Sequence, residues 1–451
     1  MSAQLANAPG PDPDERTYRL VVLLWVLYLL APAKVVTYYI PSLRPLSWAP
    51  ELLLFWCTWV YLRSPRKGPG FPAFTAFLWL IIFGTGVAAV IGNWGVSREL
   101  LRLFYQYWLL GIVTLTFCNT PRRAREILTV YFFYFPYYGI WGLISLKLSP
   151  LAANVDPGAR VIVGWHPNFE NRDAFGPLMV AGLVYSIYYY RATQTTASRN
   201  QKVVIILGIL LSGVGFVTSF GRGAFLAFLV TAASMWARAR RKLAILIAAS
   251  AAVGVLAFAA PQVTQRYLAS MQTITEQGMH EGTGEDRKYL WAIAWREFLS
   301  SPIVGVGTAN YGVAAQWVLG AQEQVGPRYT RAKLWGRATH SAPMTILSEY
   351  GLLGVLIASF IVWDFFRTNR RIRKAPKAPE VPQNALPPGY VQAVALGLNG
   401  AFLAYCVSGI FYEVLYTPLI WNVIVLNRML YCAVLHIKRE QPRPGSHAPR
   451  Q

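Results

Sequence analysis

The dominant feature of this sequence is a series of apolar runs, each long enough to cross the hydrocarbon core of a bilayer. A helix needs about 20 mostly apolar residues to do so, and such runs recur from the first part of the chain to the last. Hydrophobic residues fill 55% of the 451 positions, and charged residues only 14%. A water-soluble chain of this length needs a more charged surface, so the sequence predicts an integral membrane protein rather than several soluble domains.

We expect an all-α polytopic membrane protein with about twelve transmembrane helices. The predicted segments are 18–40, 47–62, 71–92, 101–119, 125–147, 174–190, 202–219, 221–236, 243–260, 342–366, 390–411 and 414–436. They divide the chain into nine N-terminal helices over 1–260, a large outer loop over 261–341, three C-terminal helices over 342–436 and a tail over 437–451. Part of the large loop is itself predicted to be helical, since apolar residues recur at helical spacing between Asp286 and Leu299.

The formal charge is +22, from 42 Lys and Arg against 20 Asp and Glu. Most of the basic residues lie on one side of the membrane in the predicted topology. With the N-terminus in the cytoplasm, every predicted inner loop is basic, as the positive-inside rule requires. We therefore expect both termini in the cytoplasm, with the loops over 148–173 and 261–341 on the outer side of the membrane. Membrane insertion accounts for most of the excess charge, so no nucleic-acid partner is expected.

We expect neither a metal ion nor another cofactor. The four cysteines lie in predicted helices without a paired spacing, and no outer loop carries an acidic or Cys/His pattern that fits zinc or another divalent ion. The sequence Gly305-Val306-Gly307 resembles half of a phosphate-binding loop, but it lacks the preceding strand and the following Lys-Ser/Thr. Nucleotide binding is therefore excluded.

Two positively charged residues stand where they are suited to an anionic substrate. Arg222 lies between Gly221 and Gly223 at the start of a predicted helix. The N–H groups and dipole of a helix start, together with a guanidinium fork, suit phosphate oxygens, although an arginine there also snorkels to lipid head groups. Arg287 opens the loop helix, where it either meets substrate or forms local ion pairs with Glu285 or Asp286.

His340 and Glu349 flank the start of the predicted helix over 342–366. An imidazole is the side chain best suited to accept a proton from a hydroxyl at neutral pH, although a histidine at a helix start also bonds to backbone. Glu349 lies deeper in the membrane, where a carboxylate must be paired or solvated. We expect it to organise the site rather than to act as the base, with Arg222 or Arg102 as its partner.

These motifs, in this order, resemble the O-antigen ligase family, which includes O-antigen ligases, polysaccharide polymerases and protein O-oligosaccharyltransferases. A fourth, weaker similarity precedes the sixth predicted helix, and the resemblance as a whole covers roughly residues 160 to 360. The three main stretches are Ser219–Ala224, Asp286–Trp291 running on to Pro302–Gly307, and His340–Gly354; the weaker match is His166–Asn168 with Asn171 and Phe175–Gly176.

The resemblance implies a membrane glycosyltransferase of the GT-C type that takes its glycan from undecaprenyl pyrophosphate. By position, Arg222, Arg287 and His340 correspond to the family's functional arginines and histidine. Two arginines stabilise the departing diphosphate without a metal ion, and the histidine deprotonates the acceptor hydroxyl, so that the anomeric configuration inverts. The expected substrate-binding residues are Asn168, Asn171, Arg328, Arg331, Lys333 and Arg337, with Glu349 in a supporting role.

The acceptor decides between a ligase and a polymerase. The basic stretch from Arg328 to Arg337 suits the phosphorylated lipid A core of lipopolysaccharide, which favours an O-antigen ligase. An O-antigen or exopolysaccharide polymerase would use the same donor and a lipid-linked repeat as acceptor. A membrane transporter is a further alternative, in which Arg102, Glu349 and Glu413 would line a solute path.

Overall fold

The structure, a computed structural model, describes the chain from residue 13 to residue 440 with several gaps. The omitted positions in this range are 33–34, 37–39, 66, 69, 92–93, 149–171, 220, 240–241, 243–264, 266–282, 321–323, 326–328, 331–333, 376–386 and 388.

The described residues form a helical bundle with a small hairpin in one loop. A short 3-10 helix, Pro41–Trp48, precedes α2. The two strands of the hairpin, β1 (Gln324–Val325) and β2 (Tyr329–Thr330), pair antiparallel. The α-helices are α1 (Pro13–Leu30), α2 (Ala49–Arg63), α3 (Pro72–Ile91), α4 (Trp94–Phe117), α5 (Pro121–Leu148), α6 (Arg172–Thr193), α7 (Arg199–Thr218), α8 (Arg222–Ala237), α9 (Thr283–Ser300), α10 (Tyr311–Val318), α11 (Ala342–Arg373), α12 (Tyr390–Gly409) and α13 (Pro418–Glu440).

Each predicted transmembrane segment coincides with one of these helices, except 243–260, which lies outside the described residues. The largest difference in boundaries is at the end of the first helix. The first helix ends at Leu30 rather than at residue 40, because Ala31 adopts a positive φ of 45°. The last helix begins at Pro418 rather than at residue 414, because Val414–Tyr416 form a separate 3-10 turn.

Seven of the described helices are long and apolar enough to cross a membrane on their own, so the chain is a polytopic helical membrane protein. The total of about twelve spans remains a prediction, and so does the division at residues 260, 341 and 436. The seven spans are Pro72–Val90, Trp94–Phe117, Pro121–Ile144, Arg199–Thr218, Ala342–Arg373, Tyr390–Gly409 and Pro418–His436.

The outer surface of the bundle is apolar, as contact with lipid requires. Large side chains such as Phe55, Trp56 and Leu210 are more than half exposed. The span Arg199–Thr218 has a high mean hydropathy of 1.9, yet only 33% of its most apolar window is buried in the protein. A soluble protein would not leave such a surface open to water, so this helix lies at the lipid-facing periphery.

The interior of the bundle centres on the pair α6 and α12. Gly397 of α12 faces Tyr185 and Tyr188 of α6, and a Cβ atom at Gly397 would lie 3.1 Å from the Tyr188 Cβ atom. Small residues let membrane helices approach closely and gain dispersion contacts. The buried Asn369 of α11 donates to the Ala395 carbonyl at 2.7 Å, which ties a third helix to this pair.

The helix α11 is interrupted at Gly351, and the loop that follows α9 packs across the interruption. Gly351 has φ 59° and ψ −153°, a conformation that only glycine adopts readily. The backbone groups that the break releases are hydrogen-bonded to the segment Pro302–Gly307. The bonds are Val306 N–H to the Ser348 carbonyl (2.9 Å), Gly307 to Glu349 (2.9 Å), Leu352 to Pro302 (2.9 Å) and Leu353 to Ile303 (3.1 Å).

We expect Gly351→Ala to destabilise the protein more than the matched control Gly336→Ala. Both glycines have positive φ values, 59° and 69°, and alanine is strained there by about 1–3 kcal/mol. A Cβ atom at Gly351 would also lie 2.6 Å from the Ile303 carbonyl carbon, whereas nothing lies within 4 Å at Gly336. Overpacking of this kind adds about 1–3 kcal/mol. The check is thermal unfolding of the detergent-solubilised variants, and equal losses of stability would contradict the packing described here.

Candidate active site

Arg222 is the first residue of α8, at the end of the bundle where α6 begins and α7 ends. The N-cap residue, Gly221, is extended. Because glycine has no side chain, it offers no oxygen to cap the first N–H groups of α8. Two glycines give the backbones room to meet at this point. A Cβ atom at Gly176 would lie 2.6 Å from the Ala224 Cβ atom, and one at Gly223 would lie 3.6 Å from the Phe411 Cβ atom.

His340 lies in a strained turn just before α11. Its φ is 53°, in the left-handed region that residues with a side chain rarely adopt. The preceding residue, Thr339, is fully buried, and Glu413 holds it through two hydrogen bonds. The Thr339 N–H and hydroxyl donate to Glu413 Oε1 at 3.1 Å and 3.2 Å, and the Thr345 hydroxyl donates to the same oxygen at 2.9 Å. The turn that presents the partly exposed imidazole is therefore fixed from both sides.

The loop helix α9, which carries Arg287, is attached to the same turn. The Trp291 indole N–H donates to the Thr339 carbonyl at 3.2 Å. Arg287 lies four residues before Trp291, so both residues lie on one face of α9. A small apolar cluster that includes Leu290 and Tyr311 packs α9 against α10, and the Tyr311 hydroxyl donates to the Leu290 carbonyl at 2.9 Å.

A chain of contacts thus connects the elements that carry the three predicted catalytic residues. Thr339 connects the turn of His340 to α9, and Glu413 connects it to the segment 411–413, which contacts the start of α8 beside Arg222. Arg222, Arg287 and His340 are far apart in the sequence. The connection between their elements through Thr339 was not predicted. Glu413 was singled out in the sequence only as a candidate for a transport path.

Of the predicted substrate-binding residues, the structure describes Arg337. It is exposed and lies beside the start of α10, where a Cβ atom at Gly312 would lie 2.9 Å from the Arg337 nitrogen. The other five lie outside the described residues: Asn168, Asn171, Arg328, Arg331 and Lys333.

Glu349 is buried in α11, where backbone and phenol groups satisfy its carboxylate. It accepts hydrogen bonds from the N–H groups of Ala309 (2.8 Å) and Tyr311 (3.4 Å) and from the Tyr416 hydroxyl. Arg102, one of its two expected partners, instead pairs with Glu99 at 3.4 Å. The carboxylate therefore joins the segment after Gly307 and the 3-10 turn before α13 to α11.

The hydroxyl of Tyr416 connects this carboxylate to a second phenol. It lies 3.0 Å from the Tyr350 hydroxyl, which donates to Thr308 Oγ1 at 3.1 Å. Burial and the neighbouring Glu349 charge raise the pKa of Tyr416 well above its usual value, so the phenol keeps its proton and acts as a donor.

Sequence analysis missed Glu297, which is a second buried carboxyl group beside this junction. It is fully buried in α9, and among the described residues neither of its carboxyl oxygens has a hydrogen-bond partner. Burial raises its pKa well above the usual value, and the Glu349 charge raises it further. The signal was present in the sequence, because Glu297 follows Leu290 by seven residues and Ala294 by three, and so lies on the apolar face of the helix.

Replacing Glu297 with Gln should change how stability depends on pH. A carboxyl whose pKa is raised by folding stabilises the folded state fully below its unfolded pKa, and this stability is lost as pH rises toward the folded pKa, by up to about 1.4 kcal/mol per pH unit. Glu297→Gln is neutral throughout and avoids that loss. We therefore expect the variant to equal the unsubstituted protein near pH 4, below the usual glutamate pKa of about 4.3, and to exceed it in thermal stability near pH 8.

The matched control for this experiment is Glu99→Gln, since the Glu99 side chain is 54% exposed. The control should leave the slope of the unfolding temperature against pH unchanged. Parallel slopes for the Glu297 variant and the unsubstituted protein would show that Glu297 is ionised in the folded state.

Comparison with known families gives one match. Residues 207–359 match the family described as O-antigen ligase, a segment that runs from α7 into α11 and includes Arg222, Arg287, His340 and Glu349. No curated protein matches the chain. The match covers less than half of the chain, and it contains three of the four stretches on which the resemblance rested. The resemblance is therefore confirmed by this match, which is to the O-antigen ligase family over residues 207–359.

Proposed function

We propose that this protein is an O-antigen ligase, which transfers a glycan from undecaprenyl pyrophosphate to a lipid A core oligosaccharide. The family match supports a membrane enzyme of the ligase and polymerase type, and the candidate spans agree with a lipid-linked substrate. The reaction takes place at the periplasmic face of the inner membrane of a bacterium, with both termini in the cytoplasm. The architecture is that of a GT-C glycosyltransferase with about twelve spans.

The observation that carries this proposal is the meeting of three chain segments at Thr339. The Trp291 indole and the Glu413 carboxylate both bond to Thr339, directly before His340. Substrate groups that share one site need catalytic groups held on connected, rigid elements. For transfer between two lipid-anchored glycans, these elements must also lie at a membrane surface, where both substrates can reach the catalytic groups.

The guanidinium groups of Arg222 and Arg287 stabilise the departing diphosphate. Negative charge on the diphosphate grows as the glycosidic bond breaks, and fixed cations stabilise that charge more in the transition state than in the bound donor. Arginine offers a planar fork that matches two phosphate oxygens, and it stays protonated. Diphosphate leaves as a stable anion, so this half of the reaction needs neither a proton nor a metal ion.

His340 acts as the general base for the acceptor sugar. A sugar hydroxyl loses its proton as it attacks the anomeric carbon from the face opposite the diphosphate, so the configuration at this carbon inverts. His340 follows Thr339 in a strained turn, and Glu413 holds Thr339 by hydrogen bonds. The acceptor is held by the basic segment that includes Arg328, Arg331, Lys333 and Arg337, whose cations suit the phosphates of a lipid A core.

We expect substitution of the three catalytic residues to abolish most of the transfer. The test uses the purified protein in nanodiscs, with an undecaprenyl-pyrophosphate-linked glycan and lipid A core as substrates. Loss of the base should lower kcat about 10²–10⁴-fold in His340→Ala, and loss of one cation about 10²–10³-fold in Arg222→Gln or Arg287→Gln. The control is Lys288→Ala, an exposed cation next to Arg287, which should retain full activity.

Three outcomes of this assay contradict parts of the proposal. Full activity in all three variants would show that the site is assigned wrongly. Transfer onto lipid-linked repeats rather than lipid A core would make the protein a polymerase. Movement of an intact lipid-linked glycan or solute without transfer would make it a transporter.

Glu413 should act as a positioning residue for His340 through its oxygen rather than its charge. Its Oε1 atom accepts three hydrogen bonds from Thr339 and Thr345. Glu413→Ala removes all three and should lower kcat at least about tenfold, as one lost bond to a charged acceptor is worth about 1.5–3 kcal/mol. Glu413→Gln keeps a carbonyl oxygen at the same place and should restore most of kcat. An equal loss in both variants would assign a role to the charge.

A further inference from the structure

A cavity of about 430 Å³ lies next to the proposed catalytic residues and contains none of them. It is enclosed by parts of α1, α2, α4, α5, α6 and α13 and by the turn before α13. Its volume lies in the range of small-molecule sites, which is about 300–1,000 Å³. The lining residues that matter for its chemistry are Tyr28, Glu51, Arg102, Gln106, Tyr412 and Asn422.

The cavity shares a wall with the start of α8. Ala174 and Tyr412 line the cavity. Gly176, two residues after Ala174, contacts Ala224, and Phe411, next to Tyr412, contacts Gly223. Two of the lining residues therefore lie one and two positions along the chain from residues that contact the first turn of α8, which carries Arg222.

Arg102 lines this cavity although it lies within the candidate span formed by α4. Arg102 is eight residues past the start of α4 at Trp94, a distance of about 12 Å along the helix. Charged side chains at such a depth are costly, and they commonly mark a substrate path. Arg102 pairs with Glu99, and 68% of its side chain remains exposed, so this ion pair does not cover the guanidinium.

The cavity offers hydrogen-bond donors and acceptors on several sides. Arg102 and Gln106 lie four residues apart and therefore on one face of α4, while Glu51 approaches from α2 and Asn422 from α13. Within the described residues, the buried Tyr28 hydroxyl has no hydrogen-bond partner. Both Glu51 and Arg102 are near enough to Tyr28 to act on it electrostatically. An unpartnered buried hydroxyl destabilises the protein unless a ligand or water bonds to it.

The charge of the lining distinguishes between two kinds of ligand. A diphosphate only accepts hydrogen bonds and needs an excess of positive charge, whereas this lining holds one arginine against Glu51, with Glu99 beside it. A sugar both donates and accepts hydrogen bonds, and its apolar C–H faces pack against aromatic rings. Four tyrosines line the cavity together with two amide side chains, which matches a sugar and not an anion.

We propose that this cavity is a saccharide subsite, which binds the sugar unit of the lipid-linked donor that lies next to the diphosphate. Arg102 and Gln106 bond to sugar hydroxyls from one side and Glu51 from the other, while the tyrosines pack against the ring. The inference rests on the proposed function, because the ligand is the glycan of the same donor. It assigns Arg102, which the catalytic mechanism does not use, to recognition of the glycan.

The test measures binding to the purified full chain in nanodiscs with two probes. One is undecaprenyl pyrophosphate carrying the glycan extracted from cells in which the protein works, and the other is undecaprenyl pyrophosphate without a sugar. In the unsubstituted protein, the glycan should strengthen binding at least about tenfold over the bare lipid. This ratio should fall to about one in Arg102→Gln and Gln106→Ala, while affinity for the bare lipid stays unchanged.

The matched control is Arg98→Gln. Arg98 lies one turn earlier on α4 and pairs with the same Glu99 at 3.8 Å, but it does not line the cavity. The control should keep the full glycan ratio. Arg102 and Gln106 are not fully buried, so their variants are expected to fold, and a thermal unfolding curve verifies this.

Each remaining outcome decides against the subsite. If Arg102→Gln weakens both probes by the same factor, the cavity binds the diphosphate or another anionic head group. If the glycan ratio is unchanged in both variants, the sugar binds elsewhere. If the unsubstituted protein binds the bare lipid but shows no gain from the glycan, the subsite does not exist. Failure of the proposed function has a different signature, which is that the unsubstituted protein binds neither probe.

Discussion

The attachment of the loop after α9 to the broken helix α11 is the constraint on which the rest of the site depends. An unpaired backbone group in a membrane costs several kcal/mol, so a helix that breaks at Gly351 needs replacement partners. The segment from Pro302 to Gly307 supplies them through four backbone hydrogen bonds. Its glycines allow this approach, since a Cβ atom at Gly305 would lie 2.2 Å from the Glu349 carbonyl carbon. Because the loop and the membrane helix satisfy each other, neither is free to move alone.

A second attachment, at Thr339, turns this junction into a frame for chemistry. The chain leaves α9 at Ser300, crosses the broken helix, forms α10 and returns to Thr339, where Trp291 of α9 bonds to it. The segment from α9 to the start of α11 is thus closed on itself and anchored in the membrane part by Glu349 and Glu413. Catalytic groups need placement within a fraction of an ångström, and a loop closed in this way gives α9 and the turn of His340 a fixed relation.

The helices of the described residues were largely predictable from the sequence, whereas the connections between them were not. Apolar runs located the long helices of the bundle because hydrocarbon thickness sets their length, whereas α10 was not predicted. Hydropathy does not register that Gly351 interrupts α11, since the residues on both sides are equally apolar. Motif order placed Arg222, Arg287 and His340 on one family pattern, but Thr339 and Glu413 are separated by 74 residues and neither belongs to a motif. The partner expected for Glu349 was an arginine, because a sequence shows which residues carry opposite charges. Backbone N–H groups and a phenol bond to the carboxyl group instead, and a sequence does not show which of these groups lies nearby.

In the proposed function, the placement of charge separates two tasks that are performed on one donor. The diphosphate is the charged part of the donor, and fixed cations act on it most effectively where no acid competes. The sugar is neutral, and the cavity beside α8 has cation and acid in balance. Buried acids elsewhere avoid disturbing this division in two ways: Ala309, Tyr311 and Tyr416 donate hydrogen bonds to the Glu349 carboxyl group, and a raised pKa favours the neutral form of Glu297. A negative charge at Glu297 would lie beside the frame that holds Arg287 and would weaken the attraction of this end of the bundle for an anion. Protonation of Glu297 therefore serves the field of the site as well as the packing of α9.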